Sequence, residues 1–251
     1  MRGTVARLDD AGLARELADE AGRLLLTLRD ESLPPDELKR RGDAEANRLL
    51  MDRLREQRPD DAVLSEEAAD DAARLSARRV WIVDPLDGTR EYREPGRDDW
   101  AVHVALWEDG GLTAAAVALP ALDRVLVTDP APVVPPHGDG PLRIAVSRTR
   151  PPAQADAAAA ALGAELVPLG SAGWKVAAVL RGEVDAYVHA GGMYQWDSAA
   201  PVAVALAAGL TACRLDGSPL RYNGPDLALP DLLVCRPQLT ETILTAVSRA
   251  R

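Results

Sequence analysis

The stretch VWIVDPLDGTREY, from Val80 to Tyr92, decides how the rest of the sequence is interpreted. Its first four residues are apolar and predict a buried strand, which runs directly into Asp-Pro-Leu-Asp-Gly-Thr. Pro85 fixes one φ angle and Gly88 lets the backbone turn tightly, so Asp84 and Asp87 leave the strand end together. Because two carboxylates held this close repel each other, the motif predicts a cation beside them.

Charge distribution, apolar segments and cysteine spacing limit the possible functions of this chain. It has 251 residues and a formal net charge of −10. The sequence has no basic stripe of the kind that follows a phosphate backbone, so we expect no nucleic-acid polymer as a partner. It has no signal-peptide pattern and no apolar run near the roughly 20 residues of a membrane span. The two cysteines lack metal or redox spacing, and we expect a cytoplasmic protein that binds no membrane.

Two proline-rich segments organise the chain. The first, SLPPDELKRRG, is expected to separate two N-terminal helices, the second of which would start at Asp43. An antiparallel meander of strands follows, and then the second segment, DPAPVVPPHGDGP, where we place a boundary between residues 1–137 and 138–251. Strands and helices alternate beyond it, so the sequence predicts an α/β (α+β) protein whose first half carries most of the candidate ligands.

Four acidic residues lie at the ends of predicted apolar elements. Glu66 follows a short apolar segment, Asp84 and Asp87 follow the strand, and Asp197 precedes a helix predicted over Ser198–Ala208. Carboxylate oxygens suit Mg²⁺, Mn²⁺ or Ca²⁺, whereas zinc normally takes His or Cys. The pattern therefore predicts a divalent-metal site.

A purely structural explanation exists for each of these features. Asp-Pro-Leu-Asp-Gly-Thr is favourable turn chemistry, Asp197 could be a helix N-cap, and Glu66-Glu67 could be a solvated pair of charges. The histidines, His103 and His189 among them, show no metal-ligand spacing and are expected to be structural or exposed. The residues alone leave both interpretations open.

Three motifs in order along the chain resemble the signatures of the inositol monophosphatase superfamily: SEE at residues 65–67, VWIVDPLDGTREY, and YQWDSAAPVAVALAAGL. The resemblance covers nearly the whole chain from the first predicted helix. It implies a five-layered αβαβα sandwich and a lithium-sensitive, Mg²⁺-dependent phosphomonoesterase. Two or three Mg²⁺ ions would bind at each site, with Mn²⁺ as an alternative ion.

Within the superfamily, AVLSEEAADD, PGRDDWAVHVALW and RLDGSPLRYN are similar to the 3'(2'),5'-bisphosphate nucleotidases of the CysQ type, especially actinobacterial ones. This similarity implies hydrolysis of the 3'-phosphate of 3'-phosphoadenosine 5'-phosphate by metal-activated water, within sulfate assimilation. Inositol monophosphate or fructose 1,6-bisphosphate are alternative substrates, and a non-catalytic phosphate-binding protein is a third interpretation. The expected partner is a small phosphorylated metabolite, and a homodimer is one expected oligomeric state.

The resemblance also implies roles for individual residues. The ligands of the metals would be Glu66, Asp84, the Leu86 carbonyl, Asp87 and Asp197. The catalytic residues would be Asp43, Glu66 and Thr89, with Asp43 and Thr89 orienting the attacking water. The substrate would contact Glu66, Asp87, Gly88, Thr89, Lys175, His189 and Asp197.

Two segments depart from the family pattern. SLPPDELKRRG replaces the usual Lys-x-Asp-Gly-Ser-Pro-Val-Thr loop, so only Asp43 carries over from it. Tyr187-Val188-His189 stands where many nucleotidases have Tyr-x-Arg, which leaves His189 as the phosphate contact to be expected at that position.

Overall fold

The computed structural model describes residues 8–249; residues 1–7 and 250–251, which the two predicted halves include, lie outside the described part. The helices are α1 (Asp10–Asp30), α2 (Pro35–Gln57), α3 (Thr89–Arg93), α4 (Ala153–Leu162), α5 (Ala172–Leu180), α6 (Gln195–Ala207) and α7 (Thr240–Ser248). The strands are β1 (Ala62–Ser65), β2 (Arg79–Asp87), β3 (Ala101–Glu108), β4 (Gly111–Leu119), β5 (Arg124–Val127), β6 (Arg143–Ser147), β7 (Glu165–Leu169), β8 (Ala186–Tyr194), β9 (Thr211–Cys213) and β10 (Ala228–Cys235).

The strands form two five-stranded sheets. The first sheet has the order β1-β2-β3-β4-β5, in which β1 is parallel to β2 and the remaining pairs are antiparallel. The second sheet has the order β7-β6-β8-β10-β9, with β6 parallel to both of its neighbours. The predicted boundary after residue 137 falls in the segment that joins β5 to β6.

The helices and sheets alternate as five layers. Helices α1 and α2 cover the outer face of the first sheet; α4 packs on the outer face of the second, and α7 packs against α4 and shares a core with strand β10. Helices α5 and α6 lie between the sheets and contact both of them. The fold is therefore the predicted αβαβα sandwich, and one hydrophobic core that includes Ile82, Val204 and Leu232 joins its halves.

The middle layer consists largely of small side chains. Helix α6 has the sequence QWDSAAPVAVALA, and eight of its residues from Ser198 to Ala205 are buried, four of them alanines. Small side chains let a helix and a sheet approach closely. The helix is apolar on nearly all sides, as expected for one covered by a sheet on each face.

The prediction that the second helix starts at Asp43 was wrong. Helix α2 begins at Pro35, with Pro34 as its N-cap, so most of SLPPDELKRRG is helical. Proline is tolerated in the first helical turn because its missing N–H would have no partner there, and its φ is already helical. The segment is thus a helix start instead of a break, and Asp43 lies in the third turn of α2.

The boundaries of α6 also differ from the prediction of Ser198–Ala208. The helix begins at Gln195, and Asp197 lies within its first turn instead of preceding it. The carboxylate of Asp197 accepts a hydrogen bond of 2.6 Å from the backbone N–H of Tyr194. Asp197 is therefore part of a reciprocal cap, a conventional structural role that coexists with its position in the site described below.

Candidate metal centre and active site

An open cavity of about 290 Å³ lies where the first sheet meets helices α5 and α6. Its lining includes nine of the predicted site residues: Glu66, Asp84, Leu86, Asp87, Gly88, Thr89, Lys175, His189 and Asp197. Asp43 belongs to the neighbouring helix α2 and is buried behind this lining. Residues from both halves of the sequence thus meet in one place.

The end of β2 and the start of α6 bring three carboxylates together. Asp84 and Asp87 flank an irregularity in the pairing of β2 with β3, which lets both side chains leave the strand on the cavity side. Asp197 reaches the same point from the first turn of α6. Each of the three offers a carboxylate oxygen, and these oxygens all lie within 4.8 Å of one another.

The crowding of carboxylates disfavours the ionised form of Asp84. It is fully buried, and burial together with the negative charges of Glu66, Asp87 and Asp197 holds its pKa well above the usual range. Its Oδ1 accepts from the Leu86 backbone N–H at 3.0 Å. Its Oδ2 is buried and has no hydrogen-bond donor among the residues that the structure describes.

The neighbouring carboxyls respond in the same sense. Burial, followed by the charge of Asp87, raises the pKa of Asp197 to about 7. Glu66 is an exposed residue, yet loss of water around its carboxyl, with the charges of Asp87 and Glu67, raises its pKa to about 7. A group of carboxyls that resists ionisation in this way needs an opposite charge to be ionised together at neutral pH.

The residues present fit a divalent cation. An orphaned buried carboxylate oxygen on Asp84, with oxygens of Asp87 and Asp197 nearby, is an all-oxygen donor set of high negative charge. Such a set suits Mg²⁺ or Mn²⁺ better than a softer metal, which would take imidazole or thiolate ligands. This cluster could therefore hold a divalent metal ion, and Glu66 and Leu86 line the same cavity.

Asp87 behaves differently from the other carboxyls. Burial alone would raise its pKa, but His103 and hydrogen bonds from Ser171 and Gly173 lower it to about 2. The Ser171 hydroxyl and the Gly173 N–H each donate to Asp87 Oδ2 at 2.6 Å, and the Ala172 N–H donates to Oδ1 at 3.2 Å. Asp87 is therefore held ionised and fixed in orientation by the start of α5.

His103 is a site residue that the sequence did not reveal. It is fully buried on β3, its Nε2 lies 3.3 Å from Asp87 Oδ2, and its Nδ1 lies 3.1 Å from the Trp196 carbonyl oxygen. The register of β3 against β2 places His103 opposite Asp84, and this register follows from the structure and not from a local sequence pattern. The sequence predicted a structural or exposed histidine here, and the contact of His103 with Asp87 was missed.

Gly88 forms the left-handed turn between β2 and α3. Its φ is 87°, and a Cβ at this position would lie 2.9 Å from the Cβ of Ser171, so glycine is required on both conformational and steric grounds. Thr89 then begins α3 at the cavity wall. A tight turn at this position is thus set by packing against the other half of the chain.

Asp43 lies on the inner side of α2, with 8% of its surface exposed. Burial, followed by the charge of Glu67, raises its pKa to about 6, and its own charge contributes to the raised pKa of Glu66. Asp43 is thus placed beside the acidic cluster. Its pairing with Thr89 to orient a water molecule remains a prediction.

Lys175 and His189 line the cavity on its second side, but each already has partners. Lys175 Nζ donates to the carbonyl oxygens of Gly170 and Ser171, both at 2.6 Å, and burial lowers the pKa of Lys175 to about 8. His189 Nδ1 lies 3.1 Å from the Tyr187 hydroxyl, and burial lowers the pKa of His189. Their predicted contacts with substrate therefore remain predictions.

A model of the inositol monophosphatase family matches residues 11–251 of the chain. A 3'-phosphoadenosine 5'-phosphate phosphatase of Mycobacterium tuberculosis (strain CDC 1551 / Oshkosh) is 54% identical over 241 residues, which cover 92% of this chain and 90% of that protein. No helix within residues 8–249 is long and apolar enough to cross a membrane.

Solved structures agree with the fold. Inositol monophosphatase II from Staphylococcus aureus MSSA476 superposes with a TM-score of 0.79 at 24% identity, covering 93% of each chain. CysQ from Bacteroides thetaiotaomicron gives a TM-score of 0.79 at 24% identity, covering 90% of this chain and 97% of that one. At this identity the likeness concerns the fold alone, whereas the family match spans the acidic cluster as well. The chain is a member of the inositol monophosphatase family.

Proposed function

We propose that this protein is a metal-dependent phosphatase that hydrolyses the 3'-phosphate of 3'-phosphoadenosine 5'-phosphate, giving AMP and phosphate. The observation that carries the chemistry is the cluster of Asp84, Asp87 and Asp197 oxygens within 4.8 Å, in which one buried oxygen has no donor within residues 8–249. The substrate is supported by the Mycobacterium tuberculosis relative at 54% identity. We further propose Mg²⁺ as the working ion and the cytoplasm as the location.

Hydrolysis of a phosphate ester requires the phosphoryl charge to be neutralised, a water to be aligned with phosphorus, and the departing oxygen to be stabilised. Divalent ions bound at the cluster would supply charge neutralisation and lower the pKa of water. The chain itself holds Asp87 ionised through its contacts with α5 and His103. The water oxygen bonds to phosphorus, the bond from phosphorus to O3' breaks, and a proton ends on O3'.

Asp43 and Thr89 are the proposed residues for orienting that water. Asp43 is buried beside the acidic cluster, where burial and the charge of Glu67 raise its pKa to about 6 in the metal-free protein. Thr89 lines the cavity directly after the Gly88 turn. No covalent link between the chain and the phosphoryl group is needed in this scheme.

The cavity wall also carries positive charge that suits an anion. Arg90 and Arg150 are exposed residues in the lining. Arg148 lines the cavity too, but its guanidinium already binds Glu91 and Glu94, each at 2.7 Å. A nucleotide with two phosphates offers a second anionic group for these arginines, which an inositol monophosphate lacks.

The proposal is tested by measuring phosphate release with Mg²⁺ from 3'-phosphoadenosine 5'-phosphate, inositol 1-phosphate and fructose 1,6-bisphosphate. We expect kcat/KM for the nucleotide to exceed the other two at least tenfold, or about 1.4 kcal/mol of transition-state free energy. Comparable values for all three would retain the metal chemistry and reject the nucleotide as the preferred substrate.

A matched variant separates an enzyme from a phosphate-binding protein. Asp87→Asn keeps the shape of the side chain but removes a charge from the metal centre, so we expect turnover to be abolished and the circular dichroism spectrum to be unchanged. Near-normal activity of Asp87→Asn with Mg²⁺ would show that the acidic cluster is not the catalytic site. Absence of phosphate release from the native protein with every substrate would favour a binding protein.

A further inference from the structure

Lys175 is chemically unusual in this chain. Of the 29 basic residues only Lys39 and Lys175 are lysines, and all the others are arginines. Lys175 lies in α5 with only 5% of its surface exposed, whereas Lys39 is exposed on α2. A lysine therefore occupies a buried position in a chain that uses arginine almost everywhere else.

The contacts of Lys175 explain the need for a compact cation. Its Nζ donates to the carbonyl oxygens of two consecutive residues, Gly170 and Ser171, at 2.6 Å each. The same ammonium group lies 5.1 Å from the centre of the Tyr187 ring. An ammonium is a point donor that two converging carbonyls can share, whereas a planar guanidinium is larger and donates in a fixed fork.

The backbone that Lys175 binds is a strained turn. Ser171 has a φ of 24°, which lies in the left-handed region and is unfavourable for a residue with a side chain. The N–H of Gly170 is held from the other side by Asp99 Oδ2 at 2.5 Å. Such a conformation persists only where the surrounding contacts determine it, and the two bonds from Lys175 are part of that support.

This turn is what directs donors at Asp87. The Ser171 hydroxyl, the Ala172 N–H and the Gly173 N–H all point to its carboxylate, at 2.6, 3.2 and 2.6 Å. Without the Lys175 ammonium, the Gly170 carbonyl would lose its Nζ donor, and the Ser171 carbonyl would keep only a backbone N–H donor, that of Lys175 at 3.4 Å. The turn would then be free to relax, and the three donors would move with it. The link from Lys175 to Asp87 therefore runs through two residues of backbone.

We propose that Lys175 is a positioning residue for the metal centre: it fixes the turn at Gly170–Ser171 and thereby the orientation of Asp87. This differs from a direct contact with substrate, which the resemblance to nucleotidases implied. The proposal rests on the proposed function only in taking the acidic cluster as a metal centre. Ligands oriented by an outer group of hydrogen bonds typically lose metal affinity when that group is removed.

The two roles make different predictions for Lys175→Met, which keeps the length of the side chain and removes its donors. As a positioning residue, its loss should weaken binding of Mg²⁺ to the metal-free protein about tenfold, measured by calorimetry. At saturating Mg²⁺ the KM for 3'-phosphoadenosine 5'-phosphate should change by less than about twofold. An unchanged Mg²⁺ affinity with a strongly raised KM would overturn the proposal.

Ser171→Ala tests the route of the effect. Because Lys175 and Ser171 would act through one turn, the double variant should lose no more Mg²⁺ affinity than the more severe single variant. Fully additive losses would contradict the shared route. If Lys175→Met does not fold, Lys175→Gln replaces it, because glutamine retains N–H donors without the charge. The Mg²⁺ affinity of Lys175→Gln should lie between that of the native protein and that of Ser171→Ala. A native Mg²⁺ affinity together with a raised KM would again overturn the proposal.

Arg236→Met is the matched control. Arg236 is a buried basic residue with 6% of its surface exposed, and it binds Asp185 at 2.8 Å, away from the cavity lining. We expect this variant to melt at a lower temperature while its Mg²⁺ affinity stays within about twofold of the native value. A native protein that binds Mg²⁺ but does not cleave the nucleotide would reject the proposed substrate and leave the role of Lys175 testable by the same calorimetry.

Discussion

Asp84 and Asp87 are three residues apart at one strand end, yet their carboxyls are affected in opposite directions. The pKa of Asp84 is raised by burial and by its acidic neighbours, and one of its oxygens has no donor among the described residues. The pKa of Asp87 is lowered to about 2 because His103 lies beside it and the start of α5 supplies hydrogen-bond donors. The motif therefore contains one carboxyl that its surroundings hold ionised, Asp87, and one whose ionisation they oppose, Asp84.

Gly173 is the position where this arrangement is most sensitive. A Cβ there would lie 2.0 Å from His103 Nε2 and 3.1 Å from Asp87 Oδ2. We expect Gly173→Ala to displace His103 from Asp87, to lower the free energy of unfolding by about 1–3 kcal/mol, and to weaken Mg²⁺ binding. Thermal unfolding and calorimetry on the metal-free protein measure the two effects.

Gly111→Ala provides the comparison for that variant. Gly111 lies at the start of β4, and a Cβ there would meet nothing within 4 Å. Its substitution should change the free energy of unfolding by less than about 0.5 kcal/mol. Equal behaviour of the two glycine variants would show that the contact between His103 and Asp87 has no energetic importance.

These residues also show what sequence reasoning could find at the site. The carboxylates were identified because each lies at the end of an apolar element, a local pattern. His103 and Ser171 were missed as partners of Asp87 because their contacts span 16 and 84 positions and depend on strand register and on the turn before α5. Such long-range contacts leave no local periodicity to read.

Helix α6 controls the separation between Asp197 and the carboxylates of β2, because it lies between the two sheets. Its Ala199 is fully buried in the shared core. We expect Ala199→Leu to force the layers apart, to lower the free energy of unfolding by about 1–3 kcal/mol, and to weaken Mg²⁺ binding. Unfolding in denaturant and calorimetry report these changes.

Ala207→Leu introduces the same side chain at the exposed end of α6. It should leave both the stability and the Mg²⁺ affinity close to native values, because surface substitutions seldom exceed about 0.5 kcal/mol. If Ala199→Leu were tolerated equally well, the middle layer would have to be more adaptable than a close-packed core allows.

The helices further illustrate where local patterns succeed and fail. In α1 the local pattern matches the structure, because Leu13, Leu17 and Leu28 recur at helical spacing and are buried. The start of α2 was misplaced because Pro34 and Pro35 resemble a break, although proline at a first helical turn favours a start. The composition of this segment indicated a second helix, but its first residue depended on whether the prolines lie before the helix or in its first turn.

At the scale of the whole molecule, the thermal stability of the metal-free protein should fall as the pH rises, and Mg²⁺ should oppose this loss. In the metal-free protein the pKa values of Asp43, Glu66 and Asp197 are raised from 3.8–4.5 to about 6, 7 and 7, and that of Asp84 is raised as well. Raised carboxyl pKa values stabilise the fold at low pH, and this stabilisation is lost as the pH rises from about 4 to 7. The metal-free protein should therefore melt at a higher temperature at pH 5 than at pH 7.5.

Mg²⁺ should remove much of this dependence, because it favours the ionised carboxylates and binds the folded state. His189, whose pKa is lowered by burial, acts in the opposite sense over part of this range, but it is one group against four carboxyls. Thermal scans with and without Mg²⁺ across this range provide the measurement. Asp197→Asn should flatten the metal-free profile, and a profile as steep as that of the native protein would contradict this account.

The acidic cluster is built from both predicted halves of the chain. Strand β2 supplies Asp84 and Asp87, the start of α5 supplies the hydrogen-bond donors to Asp87, and α6 supplies the carboxylate of Asp197. During synthesis, a nascent chain that has emerged only as far as residue 137 carries the acidic end of β2 without the hydrogen-bond donors to Asp87. It can neither fix Asp87 nor gather the full ligand set. Catalysis therefore begins only after α6 has been synthesised. A product terminated before α6 would be inactive instead of partly active.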